Sequence, residues 1–188
     1  MSELTRAGVL VEALPYIRRF AGRTVVVKYG GNALAGTSEH DALALFAEDI
    51  VLMHTVGIRP VVVHGGGPQI NEMLSRLNIE SNFVNGLRVT DEATMQVVQM
   101  VLNGSVNPQI VSAINVHGNV AVGLSGEDGR TLQVTPRDIS LGFVGDIEKV
   151  RTHVIDGLLA DGLVPVLSTV GVDVNLSLIH ISEPTRRS

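Results

Sequence analysis

Apolar residues recur along the chain with two different periods, one typical of helices and one typical of buried strands. Residues 3–20 have helical spacing, and Pro15 lacks an amide hydrogen, so we expect this helix to be kinked or divided there. The mostly apolar runs 24–28, 60–64 and 164–168 are typical of buried parallel strands. Strands that alternate with helices predict an α/β three-layer sandwich with a mostly parallel central sheet.

Shorter patterns fill the space between these elements. Asn85-Gly86 predicts a hairpin turn within residues 82–90, and Thr90-Asp91 predicts the start of a helix. Because the run 164–168 is the last apolar run before an unusual ending, we expect it to leave an open sheet edge that favours aggregation. We also predict helices over 38–54, 68–77, 91–101, 108–116 and 151–161, and strands at 119–124, 131–135 and 143–150.

Composition narrows the class of protein. A length of 188 residues is enough for one domain with a core and marginal for two. A net charge of −5 argues against nucleic acid or an anionic membrane as the main partner. The lack of cysteine excludes disulfides and thiolate metal sites. No apolar run approaches a membrane span and the amino terminus does not read as a secretory signal, so we expect a cytoplasmic protein.

The first candidate site follows the first predicted strand. Lys28 is its last residue, and Gly30 and Gly31 come directly afterwards. Ligands of parallel sheets bind at the carboxyl ends of the strands, and glycines let backbone amides approach phosphate oxygens closely. A lysine beside them can neutralise a phosphoryl group in transfer. A tight turn followed by a solvated surface lysine is the structural alternative.

The second candidate site follows the second strand. Gly65, Gly66 and Gly67 stand between His64 and Pro68, and a proline is well placed at the start of a helix. Three glycines at a strand-to-helix junction offer amides next to a positive helix end. Because two such turns follow consecutive strands, we expect an anion site that spans both. We expect His64 to stabilise the turn rather than act as a base, and we assign no metal ligand.

Arg88 lies in the predicted hairpin and can form a bidentate fork with a carboxylate. Arginines on hairpins are usually solvated, so from the residues alone we expect Arg88 at the surface.

Several strings together resemble the N-acetylglutamate kinases, a family of the amino-acid kinase superfamily. They are residues 25–33, 61–70, 85–90 and 121–129, and the resemblance covers about residues 5–173 in order and with matching spacing. It implies that ATP phosphorylates the side-chain carboxylate of N-acetyl-L-glutamate, which gives ADP and N-acetyl-L-glutamyl 5-phosphate in arginine biosynthesis. It also implies ATP as co-substrate, with Mg²⁺ carried by the nucleotide.

The resemblance implies a role for six residues. It makes Lys28 the catalytic group that stabilises the transferring phosphoryl group. The other five are binding residues: Gly30 and Gly31 for the phosphates, Gly66 and Gly67 for acetylglutamate, and Arg88 for the α-carboxylate of acetylglutamate. A carboxylate nucleophile is already ionised at neutral pH, so this reaction needs no general base.

The same resemblance divides the chain into parts. Residues 1–22 resemble an amphipathic extension that links dimers into hexamers, and residues 23–173 resemble a substrate-binding, dimer-forming domain. Residues 176–188 resemble translated adapter sequence from sequencing libraries, so we expect them to be non-native and the nucleotide-binding domain to be missing. The chain is then a fragment with negligible kinase activity.

Two alternatives remain open. Other superfamily kinases, which act on glutamate, carbamate, aspartate or UMP, share the first glycine-lysine turn but fit the hairpin string less well. In a different class, the chain is a non-catalytic module that binds acetylglutamate or assembles with full-length subunits. The amino-terminal helix has an alternative as well, since it could pack on its own domain.

Overall fold

A computed structural model of the chain describes residues 3–30, 39–175 and 177–181. A π-helical segment, Leu102–Val106, joins the helices Glu92–Val101 and Asn107–Asn115 without a break. The elements in chain order are α1 (Glu3–Phe20), β1 (Thr24–Tyr29), α2 (Glu39–Thr55), β2 (Arg59–His64), α3 (Gly67–Arg76), β3 (Phe83–Val84), β4 (Leu87–Arg88), α4 (Glu92–Val101), α5 (Asn107–Asn115), β5 (Ala121–Ser125), β6 (Leu132–Pro136), β7 (Gly145–Val150), α6 (His153–Ala160), β8 (Val164–Ser168), β9 (Val170–Val172) and β10 (Leu178–His180).

The central sheet has the strand order β1-β2-β8-β5, and all of its strand pairs are parallel. Helices α2 to α5 cover one face, over a core that includes Val62, Leu74, Ile110 and Val166. On the other face α6 contributes Ile155 and packs with a smaller apolar cluster. The α/β three-layer sandwich predicted from the sequence is therefore confirmed.

The sheet order corrects two predictions about individual strands. Strand β8 lies between β2 and β5 and is buried along its whole length, so the expected open edge at residues 164–168 is wrong. Strand β1 is at the edge instead, and its side chains alternate between exposed and half-buried, with Val26 67% exposed. The apolar run 24–28 is thus not a fully buried strand.

A second sheet begins where the central sheet ends. Strand β9 follows β8 after one residue, and this sheet has the order β10-β9-β6-β7. Most of its pairs are antiparallel, and β6 pairs with β9 in parallel. The short hairpin of β3 and β4 is attached to it through Thr90, whose amide donates to the Leu141 carbonyl. The second sheet is therefore attached to the carboxyl end of β8.

Local turn and cap predictions agree with the structure. Asn85 and Gly86 both have positive φ values, 51° and 80°, as the tight turn between β3 and β4 requires. The Asp91 side chain accepts a hydrogen bond from the Thr94 amide and caps α4, and α3 begins at Gly67 with a proline in its first turn. Ser38, the first residue of the helix predicted over 38–54, is outside the described residues.

Helix α1 is continuous from Glu3 to Phe20, so of the two expected effects of Pro15, a kink or a division, the division does not occur. None of its described side chains is fully buried, and Val9, Val11 and Tyr16 are exposed. In the part of the chain that the structure describes, no helix is long and apolar enough to cross a membrane.

Candidate functional site

The two glycine turns predicted from the sequence are neighbours in space. Strand register pairs Lys28 with Val63 and Tyr29 with His64, so both turns leave the same edge of the sheet side by side. His64 is in turn paired with Ser168 of β8. The carboxyl ends of these parallel strands form the crevice in which α/β proteins bind their ligands.

The first turn is the more open of the two. The Lys28 side chain is exposed, and strand alternation places it on the α6 face of the sheet. Tyr29 points to the opposite face, where its ring lies 4.6 Å from the ring of Phe46, centroid to centroid. Gly30 is half-buried, and a Cβ added there would meet no described atom within 4 Å. Gly31 is outside the described residues.

The second turn is packed tightly against a helix. A Cβ added at Gly66 would lie 2.8 Å from Leu102 Cδ2 and 3.1 Å from Val106 Cγ2. Both side chains belong to the π-helical segment, which is therefore in direct contact with the turn. Gly67 is exposed and is the first residue of α3, whose amide end carries a partial positive charge. The lack of a side chain at Gly66 lets the helix come this close.

His64 is fully buried beneath this turn. Its Nδ1 lies 2.9 Å from the Gly65 carbonyl oxygen, and its Nε2 lies 3.0 Å from Nδ2 of Asn107. Burial lowers the pKa of the imidazole, and the hydrogen bond with Gly65 offsets part of this effect. The imidazole is thus a neutral group that holds the turn, in agreement with the role expected of it.

A chain of polar side chains continues from Asn107 along the strand ends. Asn107 Nδ2 also donates to the Val166 carbonyl at 2.8 Å. One helical turn earlier, Asn103 accepts a hydrogen bond from the Ser168 hydroxyl at 2.6 Å and donates to Glu127 Oε1 at 3.2 Å. The helix that contains the π segment therefore ties β2, β8 and the loop after β5 together.

Arg88 is 4% exposed, so the expectation that it lies at the surface is wrong. One guanidinium nitrogen donates to the Ser81 hydroxyl, another donates to Asn71 Oδ1 at 2.6 Å, and the group lies 4.8 Å from the centroid of the Phe83 ring. Burial lowers its pKa from the usual value, yet an arginine stays protonated in proteins. Because Asn71 belongs to the first turns of α3, Arg88 is fixed close to the start of the helix that follows the glycines.

The charge of Arg88 is not neutralised within the described residues. None of its hydrogen bonds there goes to a carboxylate, and Ser81 and Asn71 are neutral. A second buried polar residue, His180 of β10, has an Nε2 atom without a hydrogen-bond partner. Burial and, to a smaller extent, the charge of Arg88 lower the pKa of His180 to about 4. A buried guanidinium of this kind attracts an anionic group, and a carboxylate fits its fork.

The arrangement is suited to anion binding and charge neutralisation. It combines exposed Lys28, a turn with amides at a helix start, and buried Arg88. Among the residues that the structure describes, no three His, Asp or Glu side chains are grouped so that they could hold a metal ion. The sequence did not reveal Asn71, Ser81 or Asn107; for Asn107 the available signal was its spacing of four residues from Asn103 on one helix.

These features define an α/β protein with a crevice at the carboxyl ends of parallel strands. The chain belongs to the amino acid kinase family, whose model matches residues 23–182. It is 52% identical over 179 residues to an acetylglutamate kinase of Marinobacter nauticus, with 88% of this chain and 61% of that protein covered. It is also 52% identical over 190 residues to an acetylglutamate kinase of Gloeobacter violaceus, with 98% and 62% covered.

The fold is also similar to that of a solved relative. An N-acetylglutamate synthase from Neisseria gonorrhoeae, in complex with coenzyme A and N-acetyl-glutamate, superposes with a TM-score of 0.77 at 25% identity. The match covers 97% of this chain and 41% of the synthase. The chain thus spans about three fifths of the length of the curated relatives that it matches and less than half of this structural neighbour.

Proposed function

We propose that this chain is the acceptor-binding part of an acetylglutamate kinase, which transfers the γ-phosphoryl group of ATP to N-acetyl-L-glutamate in arginine biosynthesis. The observation that carries the proposal is the identity of about 52% to proteins of that name, over nearly the whole chain. The site supports it, because a buried arginine without a carboxylate partner in the described residues lies next to the glycine turn. The similar synthase structure also holds N-acetyl-glutamate.

Each site residue has a chemical role in this proposal. Arg88 pairs with the α-carboxylate of acetylglutamate, and the amides at Gly66 and Gly67 bind the same molecule. Lys28 stabilises the charge on the transferring phosphoryl group, and the turn at Gly30, with Gly31, offers amides to the phosphates. These groups position the reactants and neutralise charge, which is most of what phosphoryl transfer requires.

The reaction itself forms one bond and breaks one. An oxygen of the side-chain carboxylate attacks the γ-phosphorus of ATP, the bond from that phosphorus to the β–γ bridging oxygen breaks, and ADP leaves with the electron pair. The carboxylate is ionised at neutral pH, so no proton has to be removed. The described residues do not form a Mg²⁺ site of their own, and we assign no step to the metal that ATP carries. ATP is a cytoplasmic metabolite, and we propose the cytoplasm as the location.

The parts of the chain are proposed to differ in function. Residues 23–173 form the substrate-binding domain, and residues 176–188 are non-native in origin, although Leu178–His180 pair with β9 in the fold. We propose that the chain forms dimers, and that α1 links dimers into hexamers through its exposed apolar residues. We assign nucleotide binding and full turnover to the part of the relatives that this chain does not cover.

The binding role is tested with the 188-residue chain and calorimetry. We expect N-acetyl-L-glutamate to bind, and glutamate, aspartate, carbamate and UMP to bind much more weakly. Arg88→Met should weaken binding about a hundredfold, since a buried charged pair is lost. Arg137→Met is the matched control, because Arg137 is exposed and, among the described residues, its ion pair is with Asp146 on β7. Equal binding by the two variants would contradict the role of Arg88.

A turnover assay and the sequence of the native gene test the non-catalytic alternative. We expect the 188-residue chain to form no measurable acyl phosphate from ATP and acetylglutamate in a hydroxamate assay, and turnover would refute this expectation. Reading the native gene past the codon for Asp173 from an independent library should reveal a nucleotide-binding half. Recovery of the same codons for residues 176–188 would instead make a pure binding module the better proposal.

A further inference from the structure

The second glycine turn depends on a pair of buried side chains that no part of the proposed reaction uses. We infer that Asn107 and His64 act as a positioning pair: Asn107 fixes the tautomer of His64, and His64 thereby aims the Gly66 amide into the crevice. The inference deepens the proposed function, since the Gly66 amide is one of the groups proposed to bind acetylglutamate. The hydrogen-bond partners of the two side chains carry it.

The donors and acceptors leave one consistent assignment. The Gly65 carbonyl can only accept a hydrogen bond, so Nδ1 of His64, at 2.9 Å, must carry a proton. The Val166 carbonyl shows which end of the Asn107 side-chain amide is the nitrogen. This carbonyl can only accept a hydrogen bond, so the Asn107 atom 2.8 Å from it must be the donor, Nδ2. The second hydrogen of that nitrogen goes to Nε2 of His64, which at 3.0 Å is closer than the other acceptor in reach, the Leu124 carbonyl at 3.4 Å, so Nε2 must be unprotonated. Both contacts select the neutral Nδ1–H tautomer.

This tautomer determines the direction of one peptide group. The C=O and N–H of a trans peptide point in opposite directions. Because the Gly65 carbonyl points at His64, in the core, the Gly66 N–H points away from His64. Among the described residues this N–H has no hydrogen-bond partner, which leaves it available to an oxygen of a bound ligand.

The π-helical segment explains how Asn107 reaches this place. The wide turn Leu102–Val106 comes directly before Asn107 and packs its own side chains against Gly66. π-Helical turns are rare and often occur at functional sites. These five residues therefore do two things. Leu102 and Val106 pack against Gly66 and hold the second glycine turn in place, and the segment as a whole determines where the Asn107 side chain points. On the other side of Asn107, Gly123 leaves no room for a Cβ, which would lie 2.1 Å from Asn107 Oδ1.

The tautomer is tested directly, without ligand. In a chain labelled with ¹⁵N-histidine, two-bond ¹H–¹⁵N correlation spectra at neutral pH should assign the Nδ1–H form to His64. Asn107→Asp replaces the amide donor by an acceptor, and the signal should move to the Nε2–H form or the imidazolium. An Nε2–H form in the unmodified chain, or an unchanged signal in a folded Asn107→Asp chain, would overturn the inference.

Two substitutions of His64 test whether it determines the direction of the Gly66 N–H. His64→Asn places an amide donor near the position of Nδ1 and should keep the Gly65 bond, whereas His64→Gln places its donor near Nε2 and should lose it. We expect His64→Gln to weaken N-acetyl-L-glutamate binding at least about tenfold and His64→Asn less than about threefold. His117→Gln, at an exposed histidine, is the matched control and should not change binding.

The outcomes separate this inference from the proposed function. Equal binding by folded His64→Asn and His64→Gln chains would overturn the inference and leave the proposed function intact. If the unmodified chain binds no acetylglutamate, the proposed function fails. The Gly66 amide proton then still decides the inference, because its shift and exchange rate should change in His64→Gln and not in His64→Asn.

Discussion

The ends of strands β1 and β2 have similar sequences and very different surroundings. Each is a run of three valines followed by a basic residue or histidine and by glycines. At the end of β1 the Lys28 side chain is exposed, and Gly30 has open space around it. At the end of β2 His64 is fully buried, and the π-helical segment touches Gly66. The sheet order causes the difference, since β1 is an edge strand and β2 has a neighbour on each side.

The comparison teaches that one local motif can serve two purposes. At the edge, the open space around Gly30 leaves room for a phosphate group to approach the backbone. A turn in the middle of the sheet is held by the strands and the helix around it, which suits the recognition of a substrate of fixed shape. The proposed division of roles, with phosphate at the first turn and acetylglutamate at the second, follows this difference in packing around Gly30 and Gly66.

The ends of β1 and β2 should differ most in how much stability is lost when a polar side chain is removed there. Asn107→Ala leaves His64 Nε2 buried without a donor and removes the side-chain hydrogen bond to the Val166 carbonyl, and we expect a loss of about 3 kcal/mol in the free energy of unfolding. Lys28→Ala, at the exposed end of β1, should change it by less than about 0.5 kcal/mol. Urea unfolding followed by circular dichroism measures both, and similar losses would remove the distinction.

Low pH should lower the free energy of unfolding through the buried histidines at and around the end of β2. Burial lowers the pKa of His64 and takes that of His180 to about 4, so the unfolded chain binds more protons than the folded chain below pH 6.5. The contribution of the neutral histidines to the free energy of unfolding is therefore complete above about pH 6.5, and it decreases as the pH falls below that value. For His180 the loss should reach about 2 kcal/mol by pH 5. Unfolding measured from pH 7 to pH 5 should show a smaller loss in His180→Gln, whereas the exposed His117→Gln should follow the unmodified chain.

The valines before the two turns give a matched pair of packing tests. Val62 is fully buried in the core between the sheet and helices α2 to α5, whereas Val26 is 67% exposed. We expect Val62→Ala to cost about 2 kcal/mol through the lost methyl groups and the cavity that remains. Val26→Ala should cost less than about 0.5 kcal/mol. A large loss at Val26 in thermal unfolding would mean that another surface covers β1 in solution.

The smallest expected effect is at the glycines themselves. Gly66→Ala places a methyl group 2.8 Å from Leu102 Cδ2, and that flexible side chain can move aside at a cost of about 1 kcal/mol. Gly30→Ala should be nearly neutral for folding, because no described atom lies within 4 Å of the new methyl group. A thermal-shift assay distinguishes the two variants, and a larger shift for Gly30→Ala would reverse the comparison.

The sequence alone determined the elements and the location of the site. Alternating helical and strand periods, the Asn85-Gly86 turn and the Asp91 cap are local signals, and the structure has each of them. The two glycine turns were predicted to lie together because parallel strands leave a sheet at one edge, and the register agrees. Such features depend on residues close in the chain, which is why a pattern can reveal them.

Only the tertiary structure decided which side chains became buried and which strand lies at the edge. Strand β8 is placed between β2 and β5 by long connections, and nothing in the run 164–168 encodes its neighbours. Arg88 is buried because α3 provides Asn71, and Asn107 meets His64 across 43 residues of sequence. Burial and long-range hydrogen bonds depend on elements distant in the chain coming together, so periodicity and spacing do not record them.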